Sequence, residues 1–458
     1  MKSKYIILLF LLPFSSFSQS TKFSKEEVLS DLTNLYQSLQ DAHYNLYAYT
    51  TEKAFDSTYN EVKNAINKDS LTLLETINLY QRLAAAANNG HTGIDFPGKP
   101  YIEYAYSGGT IFPLEIAFEY DKPLIRKNWS ENDSIEIGSE ILSISGIPIT
   151  DIFSKIYPQI SAERPYFKHV KIELFSFPRY YWQVFGRQDA FEVEIRLNGK
   201  VKTYSLEAVE VIEGYEMKRT EILNAKMKLT FNGKSAYINP GNFSGEEQKY
   251  QRFIDSAFVE IKKQKSKNLI IDLRNNGGGD NSFSDYLVSY FANKPFKWNS
   301  SFTLKTSNIL KEHVRQHYDT TETFWQGVLS HKDGEIYAYE FEEYQPQPRK
   351  KRFKGKVYVL INRQSHSQSA VAAAQIQDYQ LGIIVGEETG DYPSLYASLF
   401  QYTLPKTGIT VNLSKGYIIR VNGSTEEKGV IPDIFIKDHL LDENDEILDG
   451  LLKRIEKK

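Results

Sequence analysis

Three serines alternate in the stretch "YVLINRQSHSQSAVAAAQIQDY": Ser365, Ser367 and Ser369, with His366 among them. A β-branched apolar run leads in and an alanine-rich run leads out, so the serines fall at a strand-to-helix junction. A hydroxyl there lies beside unpaired backbone N–H groups and the positive end of the helix dipole. Such donors can hold the oxygen of a tetrahedral intermediate, which is what an acyl-transfer nucleophile needs. Serine is also a routine helix N-cap, and on this stretch alone capping is the more ordinary use.

Other segments carry complementary chemistry. "NLIIDLRNNGGGDNSF" runs a parallel-type strand, Leu269 to Leu273, into Gly277, Gly278 and Gly279 and then a helix. Glycines at the carboxyl end of such a strand let backbone N–H groups approach an anionic ligand. His91, in "AANNGHTGIDF", follows a helix stop and is the kind of base a serine nucleophile requires. "NGSTEEKGVIPDIFI" sets Glu426 and Glu427 before a Gly-Val-Ile-Pro-Asp turn: an acidic surface loop read in isolation, or a carboxylate that orients the base. His43, in "DAHYNLYAYT", is a second histidine whose setting on a helical hairpin suggests packing. No HExxH spacing supports a metal site, and no cofactor is implied.

The elements that must position these groups follow from the pattern. At 458 residues, with 41% hydrophobic and 25% charged content, two or three domains are expected. A formal charge of −3 offers no broad basic field for nucleic acid, and no phosphate-binding glycine motif follows a strand. The first residues, "MKSKYIILLFLLPFSSFSQS", read as a secretory signal over 1–18, too short in its apolar part for a stable span. With zero cysteines there are no disulfides and no thiol nucleophile, which suits an exported bacterial protein, periplasmic or extracellular. From Ser24 to about Asn89 the period is helical: Val28, Leu32, Leu35 and Leu39 form one face, and Ser24 with Glu27 makes a capping box. Short strands are expected from about Tyr101 to Leu206, with the aromatic "RPYFKHVKIELFSFPRYYW" as a cleft-covering insertion or a satellite cluster. From Lys228 onward, strands alternate with helices of ten or more residues, the pattern of an α/β core with a mostly parallel sheet. "HKDGEIYAYEFEEYQPQPRKKRFKGK" reads as an exposed loop.

Taken together, "GSEILSISGIPITD", "IIDLRNNGGG", "SHSQSAVAAAQIQDY", "GIIVGEETG" and "KGVIPDI" resemble the C-terminal (tail-specific) processing proteases and the tricorn protease core. The resemblance implies a helical region at 19–97, a PDZ-like domain with an insertion at 98–212, and a ClpP/crotonase-like α/β core at 213–458. It implies Ser367 as nucleophile, with Gly277 or Gly278 and the N–H of Gln368 as the oxyanion hole. Asp378 matches a supporting position. The lysine base of the tail-specific branch is missing: its place falls on Tyr392, and no lysine lies between Ser367 and Lys406. His91 and Glu426 instead match the tricorn-like base and its orienting carboxylate, although Gly90 replaces the serine before that histidine. The expected activity is serine-type peptide hydrolysis through an acyl-enzyme, acting on peptides or unfolded protein. The alternatives are a catalytically inactive peptide- or ligand-binding protein on the same fold, or an esterase; no G-x-S-x-G elbow surrounds these serines.

Overall fold

The computed structural model describes residues 21–457; the expected signal segment at 1–18 lies outside the described residues. Among those described, no helix is long and apolar enough to cross a membrane. Three helices lead, Lys25–Ala42, Glu52–Ala65 and Leu73–Ala85. The first starts on the capping box: Ser24 Oγ accepts the Glu27 N–H at 3.2 Å, and Glu27 accepts the Ser24 N–H at 2.8 Å.

The central sheet has six strands in the order Lys228–Asn232, Ser235–Asn239, Asn268–Asp272, Lys356–Ile361, Ile383–Gly386 and Ile434–Phe435. The first pair is antiparallel and every later pair is parallel. Strand alternation divides its apolar side chains between two layers. Leu269, Ile271, Val357, Val359 and Ile361 pack with helices Glu247–Lys263, Asn281–Val288 and Gln368–Asp378. Ile270, Tyr358 and Leu360 pack with Ile447 and Leu451 of helix Glu446–Glu456. Both faces are covered, which explains why these strands read as unbroken apolar runs. Asn268–Asp272 and Lys356–Ile361 are parallel neighbours, so the triple-glycine and serine segments emerge side by side at the carboxyl edge.

A second sheet is antiparallel, in the order Ile336–Ala338, Ser301–Lys305, Thr410–Ile419 and Leu395–Thr403. Its strands bury Phe302, Leu304, Val411 and Leu413 in one cluster with Val28, Leu32, Leu35 and Leu39 of the leading helices. The segment expected as an exposed loop therefore contributes a strand, Ile336–Ala338, and Phe341 packs against that same cluster. Short amphipathic pieces among many charges hid it.

Residues 110–210 carry a twisted antiparallel sheet in which Leu114–Glu119, Lys122–Asn128, Glu140–Ile144, Ala190–Leu197 and Lys200–Glu207 are successive neighbours. Among the expected short strands, "RPYFKHVKIELFSFPRYYW" forms two helices, Pro165–Phe175 and Phe177–Phe185. Proline begins the first at its N1 position, where the missing N–H costs nothing. Ile172, Phe177, Tyr180 and Tyr181 pack into the core of this sheet, Phe167 and Trp182 join two smaller clusters, and Phe175 and Tyr180 also line a cleft.

Candidate active site

Ser367 closes the connection between strand Lys356–Ile361 and helix Gln368–Asp378 with φ 51° and ψ −125°, a backbone conformation that side-chain-bearing residues rarely adopt. Its hydroxyl makes no capping bond to the helix. The flanking serines point elsewhere: Ser365 and Ser369 are fully buried and donate to the Leu273 carbonyl at 2.8 and 3.1 Å. They tie the segment to the end of the neighbouring strand, while the middle serine faces the other way.

There it meets His91, whose Nε2 lies 3.1 Å from Ser367 Oγ. His91 is held by the backbone around it. Gly93 exchanges both hydrogen bonds with Asn412 on strand Thr410–Ile419, at 3.0 and 2.8 Å. Asn89 accepts from Ser414 Oγ at 2.7 Å. Gly90 is clamped by two charged side chains from the β-rich region: Glu163 accepts its N–H at 2.7 Å, and Lys171 Nζ donates to its carbonyl at 2.8 Å. A Cβ at position 90 would come within 2.8 Å of Phe167 and 2.9 Å of Glu163. Support for the histidine loop thus comes from helix Pro165–Phe175 and the residues just before it, where the resemblance offered only a glycine.

His91 is 7% exposed. Burial lowers its pKa to about 4; the Asp391 carboxylate opposes that shift, and His366 and Lys171 reinforce it. The ring is therefore neutral and able to accept a proton near neutral pH. Burial raises the Glu163 carboxyl to about 7, with the nearby Asp391 charge adding to the effect.

The carboxylate at the centre of the site is Asp391, which the sequence reading passed over. It is 1% exposed; Oδ2 accepts the Ser367 N–H at 2.9 Å, and Oδ1 accepts the Tyr392 N–H at 3.0 Å. Oδ2 also lies 3.9 Å from His91 Nε2 and 3.5 Å from His366 Nε2. Arg164 secures the loop before it, donating to Glu388 and to the Thr389 and Gly390 carbonyls. A sequence signal existed, since Asp391 adjoins Tyr392, where the missing lysine was sought. His366 stacks on His91 with ring centres 5.3 Å apart.

Glu426 stands apart from these groups. Its side chain is 70% exposed and pairs with Lys428 at 3.3 Å. The His91 nitrogen facing away from Ser367, Nδ1, is buried and has no partner among the described residues. Among the described residues, no carboxylate orients the ring through that atom. The turn after Glu426 is pinned by Gly429 to Glu388 and by Val430 to Thr389, leaving the glutamate at the surface. Asp378 ends its helix in a two-pronged pair with Arg420, at 3.0 and 2.7 Å. His43 is buried in the helical region, accepting the Asn45 N–H at 3.1 Å.

Gly278 has φ +88°, and a Cβ on it would lie 2.7 Å from Ser367 Cβ and 2.8 Å from the Gln368 nitrogen. Only glycine permits this approach. The Gln368 N–H, in the first turn of the helix, has no hydrogen-bond partner among the described residues. The N–H groups of Gly277 and Gly278 donate to Asn242 and Asn276, at 3.2 and 2.8 Å. Beside the pair opens a cleft of about 460 Å³, whose lining includes Lys171, Leu174, Phe175, Tyr180, Leu223 and Leu399.

Part of this chain is similar to known proteins. Residues 234–436 match the Peptidase_S41 description, Peptidase family S41. A tail-specific protease of Haemophilus influenzae is 30% identical over 188 residues, 40% of this chain. The match spans only 22% of that relative's length. Among solved structures, mature CPAF superposes over 90% of this chain and 93% of its own, with a TM-score of 0.63 and 15% identity. Mature CPAF complexed with lactacystin does so over 94% and 97%, with a TM-score of 0.64 and 15% identity. At that identity the likeness is one of fold. Ser367 lies inside the residues that match the peptidase family S41 description, and His91 is delivered to it from outside them.

Proposed function

We propose that this protein is a serine-type peptidase in which Ser367 is the nucleophile and His91 its base. The observation that carries the reading is the 3.1 Å contact between a non-capping serine hydroxyl and a buried histidine. Neutral His91 takes the Ser367 proton through Nε2 as Oγ attacks a peptide carbonyl. The developing oxyanion is held by the Gln368 N–H at the positive end of an 11-residue helix. Gly277 and Gly278 join as donors where the substrate oxygen displaces the Asn242 and Asn276 side chains. His91 then protonates the leaving amine, and water hydrolyses the acyl-enzyme along the reverse proton path.

Asp391 takes the positioning role that the resemblance gave to Glu426. It fixes the Ser367 backbone, and its charge faces the imidazolium that forms in the reaction. The apolar wall of Leu174, Phe175, Tyr180, Leu223 and Leu399 suits a substrate side chain without charge. Peptides and unfolded protein are the substrate class. The sheet at 110–210 supports a PDZ-like reading, in which a chain end adds to an exposed strand edge. Export rests on the lysine-flanked apolar segment at the N-terminus.

A serine-reactive phosphonate probe tests the proposal. Labelling at Ser367, lost in Ser367→Ala and strongly reduced in His91→Ala, is the expected outcome. A folded protein that neither labels nor cleaves unstructured peptides would instead be a binding protein on this fold.

A further inference from the structure

His91, His366 and Asp391 come from two chain-distant segments and a turn, yet one ligand atom from each lies within 4.8 Å of the other two. We propose that these three side chains form a zinc-type metal site that silences the serine. The ligands are His91 Nε2, His366 Nε2 and Asp391 Oδ2. Zinc holds nitrogen and oxygen at about 2.0–2.2 Å, so adjacent ligand atoms of a tetrahedral site stand about 3.3 Å apart. Here the aspartate oxygen is 3.5 Å from one imidazole nitrogen and 3.9 Å from the other. The two distances exceed that spacing by about 0.2 and 0.6 Å.

The donor set is suitable on independent grounds. His366 Nε2 is buried and has no hydrogen-bond partner among the described residues, so a ligand there replaces nothing. Its other nitrogen, Nδ1, lies 3.4 Å from the Gly277 carbonyl, a contact that would fix the tautomer leaving Nε2 as the free donor. Asp391 is already held by the Ser367 and Tyr392 N–H groups, which orient its carboxylate as an outer shell would. Two histidines and one carboxylate make three ligands, and Ser367 Oγ lies 3.1 Å from His91 Nε2. The consequence for function rests on the peptidase reading: a metal on Nε2 occupies the lone pair that would accept the serine proton.

The test is calorimetric titration of Zn²⁺ into the full chain carrying His317→Ala and His439→Ala. Those changes remove the His313/His317 pair on one helix face and a more exposed set made by His439, Asp442 and Glu446. One site is expected, with a Kd of about 1 μM or tighter. Ser367→Ala should keep it, while His366→Ala and Asp391→Asn should each weaken it at least about tenfold. Circular dichroism checks the fold of each variant, and His366→Asn serves if the alanine form does not fold. Peptide hydrolysis should fall with the same midpoint and return with a chelator. Absence of binding heat, or binding indifferent to His366, overturns the site. Hydrolysis that requires zinc overturns the silencing role. If Ser367 neither labels nor supports turnover while zinc binds as described, the peptidase reading fails and the metal site stands.

Discussion

The carboxylate of Asp391 accepts the backbone N–H of Ser367 at 2.9 Å, from a turn 24 residues further along the chain. This bond sets the backbone of a serine whose φ of 51° is unfavourable for any residue with a side chain. Asp391→Asn should therefore lower kcat by about 10- to 10³-fold, with less effect on KM, in line with a group that acts on the transition state. Glu426→Gln should stay within about twofold of the parent, as expected for an exposed pair with Lys428. Steady-state kinetics on one peptide distinguishes the two, and the opposite ranking would return the orienting role to the glutamate.

On the proposed mechanism, the hydroxyl and the imidazole work as one proton-transfer unit. Ser367→Ala and His91→Ala should each remove nearly all turnover, on the order of 10³-fold or more, and the double variant should be little worse than either. Losses that multiply would show that the two groups act separately.

Gly278→Ala should damage folding and catalysis together. The added methyl meets the His366 carbonyl, Ser367 Cβ and the Gln368 nitrogen at 2.7–2.8 Å, at a positive φ that alanine disfavours. A stability loss of about 1–3 kcal/mol in denaturant unfolding is expected, with a larger fall in kcat than in stability. Gly90→Ala should act at a distance, because its methyl collides with Phe167 and Glu163 and shifts the adjoining His91.

The pH profile should carry an unusual acid limb. With His91 at about 4 rather than 6.5, kcat/KM should hold through mildly acid conditions and fall as pH drops through about 4. The unfolded state binds the proton more readily, so the stability contributed by this neutral ring is complete above about 6.5 and declines toward 4. Glu163 works in the other direction. Its folded value of about 7 lies above the unfolded 4.5, so its contribution is complete below 4.5 and is lost as pH rises through 7. Glu163→Gln, which can still accept the Gly90 N–H, should gain about 1 kcal/mol near pH 8 and nothing near pH 4.5. Unfolding titrations at the two pH values check this; equal effects at both would remove the charge argument.

Local pattern determined a good deal of this protein. The leading helical face of Val28, Leu32, Leu35 and Leu39, the capping box at Ser24, the apolar core strands and the glycine bend are short-range features, legible because helix and strand periods are written in neighbouring residues. The resemblance to tail-specific and tricorn-type proteases singled out Ser367 and His91, which the fold brings within 3.1 Å. What the chain order could not give was which carboxylate faces the pair, what holds Gly90, and that His366 stacks on His91. Those depend on where Asp391, Glu163 and Lys171 arrive after strands pair across long separations and helix Pro165–Phe175 packs down on the core. Glu426 and Asp391 are both acids in polar turns; only packing leaves one in water and carries the other to the serine, since burial is a property of the assembled neighbours and not of the residue.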